Sequence, residues 1–255
     1  MTDEKNLKVE KISAGSYDLN IWLHGGYEKD IITMIAGPPG SGKTNFVILA
    51  ACSQAKKGNK VIFIDTEGGF SIERVKQIVG KENAPEFLDN LLLLQPTSFE
   101  EQKKSFENLL KTLKKNHVSL IVIDGIAMLY RLELGDARSE NSKKESKDEN
   151  VQKVNREVAK QMRCLAEISR KQNIPILITN QVYGKFTDKE EWKSGFEKEI
   201  NIVGGDLFKY WSKCIIELKK DGSKRKAVLL KHRSLGEKEL KFLIKDAGIF
   251  KDSWI

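Results

Sequence analysis

The sequence predicts an α/β protein: a mostly parallel central sheet with helices on both faces and an antiparallel C-terminal hairpin extension. Three observations carry this. Short apolar runs bounded by turn residues alternate with amphipathic helical stretches, the pattern of a sheet covered on two sides. One strand–helix junction carries the glycine-rich spacing G-x-x-x-x-G-K-T. Late in the chain the alternation gives way to two apolar runs around Asp221-Gly222, a hairpin signal.

The elements follow in order. Residues 1–12 are charged and unpatterned and read as a flexible lead, with 13–255 as a single domain. Ile31–Ala36 is a buried strand ending in glycine. Asn45–Lys57 places Phe46, Val47, Leu49 and Ala50 at helical spacing, closes at Gly58, and sets Lys56 and Lys57 where the helix dipole favours cations. Val61–Ile64 is a second strand. Ser71–Val79 is helical, stopped by Gly80. Leu91–Leu94 is a third strand, and Glu100–Lys115 an amphipathic helix with Phe106, Leu109, Leu110 and Leu113 on one side. Leu120–Ile123 is a fourth strand. Residues 135–150 hold one aliphatic side chain and a nearly even mix of charges, so 131–150 is expected as a mobile loop. Val151–Lys171 restores the helical period, and Pro175–Thr179 is a fifth strand. Residues 182–203 form a second expected mobile loop. Cys214–Leu218 and Ala227–Leu230 flank the hairpin turn, and Leu240–Ile244 is the last expected strand.

Composition narrows the function. The chain has 255 residues, enough for one full hydrophobic core. No apolar run approaches the ~18–20 residues that span a bilayer, and Met1–Lys5 offers no apolar leader, so a cytosolic protein without membrane partners is expected. Three scattered cysteines have no ligand spacing, which argues against a zinc site or a disulfide framework. The net charge is +8, and the stretch 213–251 holds 12 basic against 5 acidic residues, a net of +7. Nearly all of the surplus is therefore C-terminal, where nucleic acid could use it.

Gly37-Pro38-Pro39-Gly40-Ser41-Gly42-Lys43-Thr44 lies between a strand and a helix, the context a phosphate-binding loop requires. Gly40 and Gly42 let successive N–H groups curl inward onto phosphate oxygens. The helix that starts there adds its positive end. Lys43 brings a charge to the β- and γ-phosphates, and the Thr44 hydroxyl is a Mg2+ ligand. Asp124, ending the fourth strand, fits the acid that holds Mg2+ directly or through water. The expected cofactors are thus ATP and Mg2+. Glu67, just past the second strand, is placed to orient or deprotonate the attacking water, with Asp65 as the competing carboxylate. Gln181, ending the fifth strand, can sense the γ-phosphate and inform the loop that follows.

Further segments sharpen the pattern. Ile12–Ser16, Asp18-Leu19 and Leu23–Gly26 lead into the phosphate loop, and Ile64–Phe70 with Glu73-Arg74, Val122–Arg131 and Leu177–Val182 follow it. These resemble the signatures of the RecA/RadA recombinase family, whose core is a RecA-like P-loop ATPase fold. Asn155–Arg163, Gly204-Gly205 with Tyr210–Lys213, and Ala227–Ser234 are similar to its short archaeal paralogues of RadA. The resemblance spans about Ile12 to Ile249. It implies that Arg74 packs on the adenine ring, that Glu67 is the catalytic glutamate, and that Gln181 is the γ-phosphate sensor. It also implies that 131–150 and 182–203 face DNA. Lys231 and Arg233 resemble a Lys-x-Arg pair that reaches a neighbouring subunit's nucleotide in the related KaiC-like ATPases.

The implied function is an ATP-binding, DNA-binding accessory protein of repair and homologous recombination in the archaeal cytosol, with weak ATPase activity. Only about a dozen residues precede the core, leaving no room for the recombinases' N-terminal DNA-binding domain or Phe-x-x-Ala polymerisation segment, so strand exchange of its own is not expected. Implied partners are single-stranded or branched DNA, and RadA recombinase, a Holliday-junction resolvase or a DNA polymerase subunit; a homodimer or small oligomer is a further expectation. The loop 182–203 holds four lysines against five acids, so DNA contacts are assigned to Arg131, to base stacking by Trp192, and to Lys224, Arg225 and Lys226 at the hairpin. The rival reading is a KaiC-like signalling ATPase that never meets DNA.

Overall fold

The computed structural model describes residues 9–139, 144–183 and 201–252. In chain order the elements are β1 (Lys11–Ile12), α1 (Tyr17–Trp22), β2 (Tyr27–Glu28), β3 (Ile32–Gly37), α2 (Lys43–Ala55), β4 (Lys60–Asp65), α3 (Ile72–Val79), α4 (Ala84–Asp89), β5 (Leu91–Leu94) and α5 (Phe99–Lys115). They continue as β6 (Val118–Asp124), α6 (Met128–Ser139), α7 (Lys144–Gln172), β7 (Ile176–Gln181), α8 (Asp206–Trp211), β8 (Cys214–Asp221), β9 (Lys224–Lys231), β10 (Lys238–Lys245) and β11 (Gly248–Lys251).

One nine-stranded sheet runs β11-β10-β9-β8-β3-β7-β6-β4-β5. The strands from β8 to β5 are parallel, and β8 through β11 continue as antiparallel hairpins. Its central strands are apolar on both sides because each face meets its own helical layer. Ile35, Val61, Phe63, Leu120, Val122 and Leu177 face a core shared with α1, α2, α3 and α4. Met34, Ile62, Ile64, Ile121, Ile123 and Ile178 face the layer built by α5, α6, α7 and α8. Local signals set the helix starts. The Ser71 hydroxyl accepts from Arg74 N, and the Ser98 hydroxyl accepts from Glu101 N while the Glu101 carboxylate accepts from Thr97 N.

Three expectations change. Residues 11–12, assigned to the lead, pair with Tyr27-Glu28. The segment 131–150 is not a loop, since α6 and α7 are helical on either side of 140–143. Good helix formers outweigh its polarity there, and Ala137 packs into the same core as Val154 while Tyr130 Oη donates to Asn155 Oδ1 at 2.7 Å. The third is β11, absent from the sequence reading because four residues carry no usable period. Of the segment 182–203, expected as a loop, residues 184–200 lie outside the described residues; at its two ends Val182 bridges Ile202 and Tyr183 N donates to Asn201 O at 2.8 Å. Trp192 lies outside the described residues. No described helix is long and apolar enough to cross a membrane.

Candidate nucleotide site

The phosphate loop joins the end of β3 to the start of α2. Gly40 and Gly42 hold φ of 69° and 107°, left-handed values that glycine adopts without strain. A Cβ on Gly42 would stand 2.7 Å from Ile244 Cδ1, so β10 walls the loop and leaves no room for a side chain. Lys43 Nζ donates to the carbonyls of Gly37 at 3.1 Å and Pro38 at 3.2 Å. An ammonium has three donors, so one remains for a phosphate oxygen. Burial lowers the Lys43 pKa, while the negative charges of Glu67 and Asp124 raise it.

Asp124 stands at the end of β6, almost fully buried. Its Oδ2 accepts from Thr44 Oγ1 at 2.8 Å and its Oδ1 from Thr179 Oγ1 at 2.6 Å. Thr179 was not singled out from the sequence; a polar residue near the carboxyl end of a buried strand was the available signal. The pairing of the Thr44 hydroxyl with a carboxylate is an all-oxygen donor set suited to Mg2+. When bound there, Mg2+ supplies positive charge to the phosphates.

Burial pushes the Asp124 carboxyl up to about 6, against the two threonine hydroxyls that lower it. The folded-state value thus exceeds the ordinary 3.8. Its contribution to ligand-free stability is full below 3.8 and is lost as pH rises through about 6. Asp124→Asn should therefore raise ligand-free stability at pH 7.5 by roughly 1–3 kcal/mol and change little at pH 4. Urea unfolding at the two pH values measures this. Equal shifts at both would show that the carboxylate is ionised in the fold at acid pH.

Asp65 and Glu67 separate cleanly. Asp65 is buried, and its carboxylate accepts from the N–H groups of Glu67, Gly69 and Phe70 at 3.0–3.3 Å. It shapes the loop. Glu67 is exposed, and its Oε1 accepts from Gln181 Nε2 at 3.1 Å. A Cβ on Gly125 would lie 2.5 Å from Glu67 Cγ, so this glycine clears the path of the Glu67 side chain. Arg131, on α6, lines one cleft with Glu67, Gln181, Met128 and Asn180.

Arg74 is fixed beside the first turn of α2. Its Nε donates to Asn45 Oδ1 at 2.7 Å, and its two terminal nitrogens donate to the carbonyls of Asp246 and Lys245, each at 2.9 Å. The guanidinium plane is thereby locked, as a platform for a flat ring requires. Asn45 and the turn at 245–246 carried no sequence motif.

Lys224, Arg225 and Lys226 open β9, level with the phosphate loop, because β9 runs antiparallel to β8 and β8 parallel to β3. Lys231 and Arg233 are not brought to the phosphate loop of their own chain. Lys231 Nζ donates to Lys209 O at 3.0 Å, and Arg233 forms a two-pronged pair with Asp30 at 2.8 and 2.6 Å and a further pair with Glu28 at 2.5 Å. Asp30 precedes β3, so Arg233 sits roughly 20 Å from Gly37 along the strand direction.

A family model described as Rad51 matches residues 5–252. The chain belongs to the Rad51 family. Among its relatives, the DNA repair and recombination protein RadB of Methanococcus maripaludis strain C7 is 44% identical over 228 residues, covering 89% of this chain and 94% of that protein. RadB of Methanocaldococcus jannaschii is 41% identical over 227 residues, covering 89% and 96%. RadB of Methanobrevibacter smithii is 39% identical over 232 residues, covering 89% and 90%. The expected likeness to the short archaeal paralogues is therefore shown, and with it the RecA-like core. Membership also brings a general nucleotide-hydrolysing role and the family's use of nucleotide with Mg2+.

Proposed function

We propose that this Rad51-family chain is an ATP-binding accessory protein of DNA repair and homologous recombination that binds DNA and hydrolyses ATP slowly. It performs no strand exchange of its own. The relatives are named for repair and recombination. The observation that carries a switching role is the Gln181–Glu67 hydrogen bond. It ties the carboxylate that handles the attacking water to the strand end that leads into segment 182–203, bridged at the very next residue, Val182, to Ile202. Arg131 shares that cleft. A γ-phosphate competing for Gln181 would thus be felt at the loop and at α6.

The positions of Lys231 and Arg233 support slow turnover. Developing charge on the γ-phosphate needs preorganised cations, and these two act only on a second copy's nucleotide. In the isolated chain the site lacks them.

The test is fluorescence anisotropy with labelled single-stranded oligonucleotide over a salt series, with and without ATP. Log affinity should fall linearly with log salt. The double variant Lys224→Gln/Lys226→Gln should reduce the slope by about 1.4, two contacts at ~0.7 each for a single strand. An absence of binding at low salt would favour the DNA-free signalling ATPase instead.

A further inference from the structure

Two pairs of cations face each other across the β8–β9 hairpin. Lys219 stands opposite Lys226, and Lys220 opposite Arg225. Directly opposed like charges destabilise a strand pair unless something neutralises them. The first pair is neutralised. Lys219 meets Glu217 at 2.9 Å, and Lys226 meets Glu239 at 2.7 Å. The second pair has no such arrangement. Among the described side chains Lys220 makes no ion pair or hydrogen bond. Arg225 gives one long bond from a terminal nitrogen to Ser223 O at 3.4 Å, and its Nε is buried without a partner.

The uncompensated pair is also the one aimed at the phosphate loop. Side chains alternate along a strand, so Lys220 shares the face of Leu218, the face that packs against α2. A Cβ built on Gly40 would stand 3.6 Å from Lys220 Nζ, which puts the ammonium over the crown of the loop. Phe242, which pairs with Arg225 on the other side, comes within 3.9 Å of the corresponding position on Gly42. The C-terminal extension therefore forms one wall of the nucleotide site, and on the face that the β8–β9 hairpin turns toward the loop Lys220 and Arg225 have no carboxylate partner among the described side chains.

We propose that Lys220, backed by Arg225, is a second phosphate-binding cation of the nucleotide site, supplied by the C-terminal extension alongside Lys43. Its ligand is the polyphosphate of the nucleotide bound to the same chain. This rests on the ATP-binding reading of the loop. It also gives the extension a role that the basic hairpin alone does not suggest: a bound polyphosphate would compensate the opposed Lys220 and Arg225.

The experiment is calorimetric titration of the full chain, without DNA, by ATP, ADP and AMP, for wild type, Lys220→Met, Lys220→Arg and Lys219→Met. Lys220 is exposed, so loss of its charge should leave the fold intact. Lys220→Met should weaken ATP about three- to tenfold, with a smaller loss for each phosphate removed. Lys220→Arg should restore affinity. Lys219→Met changes the same net charge on the opposite face and should leave affinity within about twofold. The Lys220 effect should shrink at high salt, as for a solvent-reached charge. Equal losses in Lys219→Met and Lys220→Met would overturn the proposal, because a general charge effect would explain both. So would unchanged ATP affinity in Lys220→Met. Failure of wild type to bind ATP would instead overturn the reading of the loop itself, and this proposal with it.

Discussion

Replacing Lys43 by alanine is expected to lower ATP affinity at least about 100-fold. The ammonium bonds two carbonyls of its own loop, and its third donor is the strongest point charge available to the terminal phosphates. Removing it leaves the carbonyls of Gly37 and Pro38 without their cation in a largely buried position. It also removes a positive neighbour from Glu67 and Asp124, so three acids, counting Asp65, then crowd the strand ends with less compensation. Titration with a fluorescent ATP analogue measures the loss, and circular dichroism checks that α2 still forms. Near-native affinity in a folded Lys43→Ala protein would place the triphosphate elsewhere.

Glu67→Gln should lower turnover about 100- to 10,000-fold while ATP binding stays near that of wild type. The amide retains an acceptor oxygen for Gln181 Nε2, so the bridge to Gln181 survives, but it takes no proton from water. Binding is spared because the loop's shape is held by Asp65, not by Glu67. Asp65→Asn is the informative contrast. The amide keeps one acceptor oxygen but turns the other into a donor, so at least one of the three backbone N–H groups loses its partner and the rest lose a charged one, and binding and turnover should fall together. Single-turnover measurement with radiolabelled ATP separates chemistry from release. Equal turnover in wild type and Glu67→Gln would remove Glu67 from the role.

The site was unevenly legible in the sequence. The phosphate loop was visible because its chemistry is local: eight consecutive residues provide the glycine turns, the lysine and the hydroxyl. Asp124 could be placed because a carboxylate ending an apolar run falls at a strand tip. The choice between Asp65 and Glu67 was harder, since both sit within three residues of one strand end. Backbone hydrogen bonds distinguish the two, by using the Asp65 carboxylate as a loop anchor while Glu67 stays exposed. Thr179, Asn45 and the carbonyls of 245–246 were invisible for a different reason. Each acts on a residue 29 or more positions away, so no spacing in the chain announces them.

Sequence alone determined the α/β class, the order of the main strands and helices, and the chemistry of the phosphate loop. Those properties depend on period and on neighbours along the chain. Tertiary structure decided where each cation stands. It placed Lys220 over the loop and Lys231 and Arg233 away from it, although all three belong to one basic stretch. The reason is direction. An antiparallel hairpin returns its second strand to the far end of the sheet, so residues about ten positions apart end on opposite sides of the molecule.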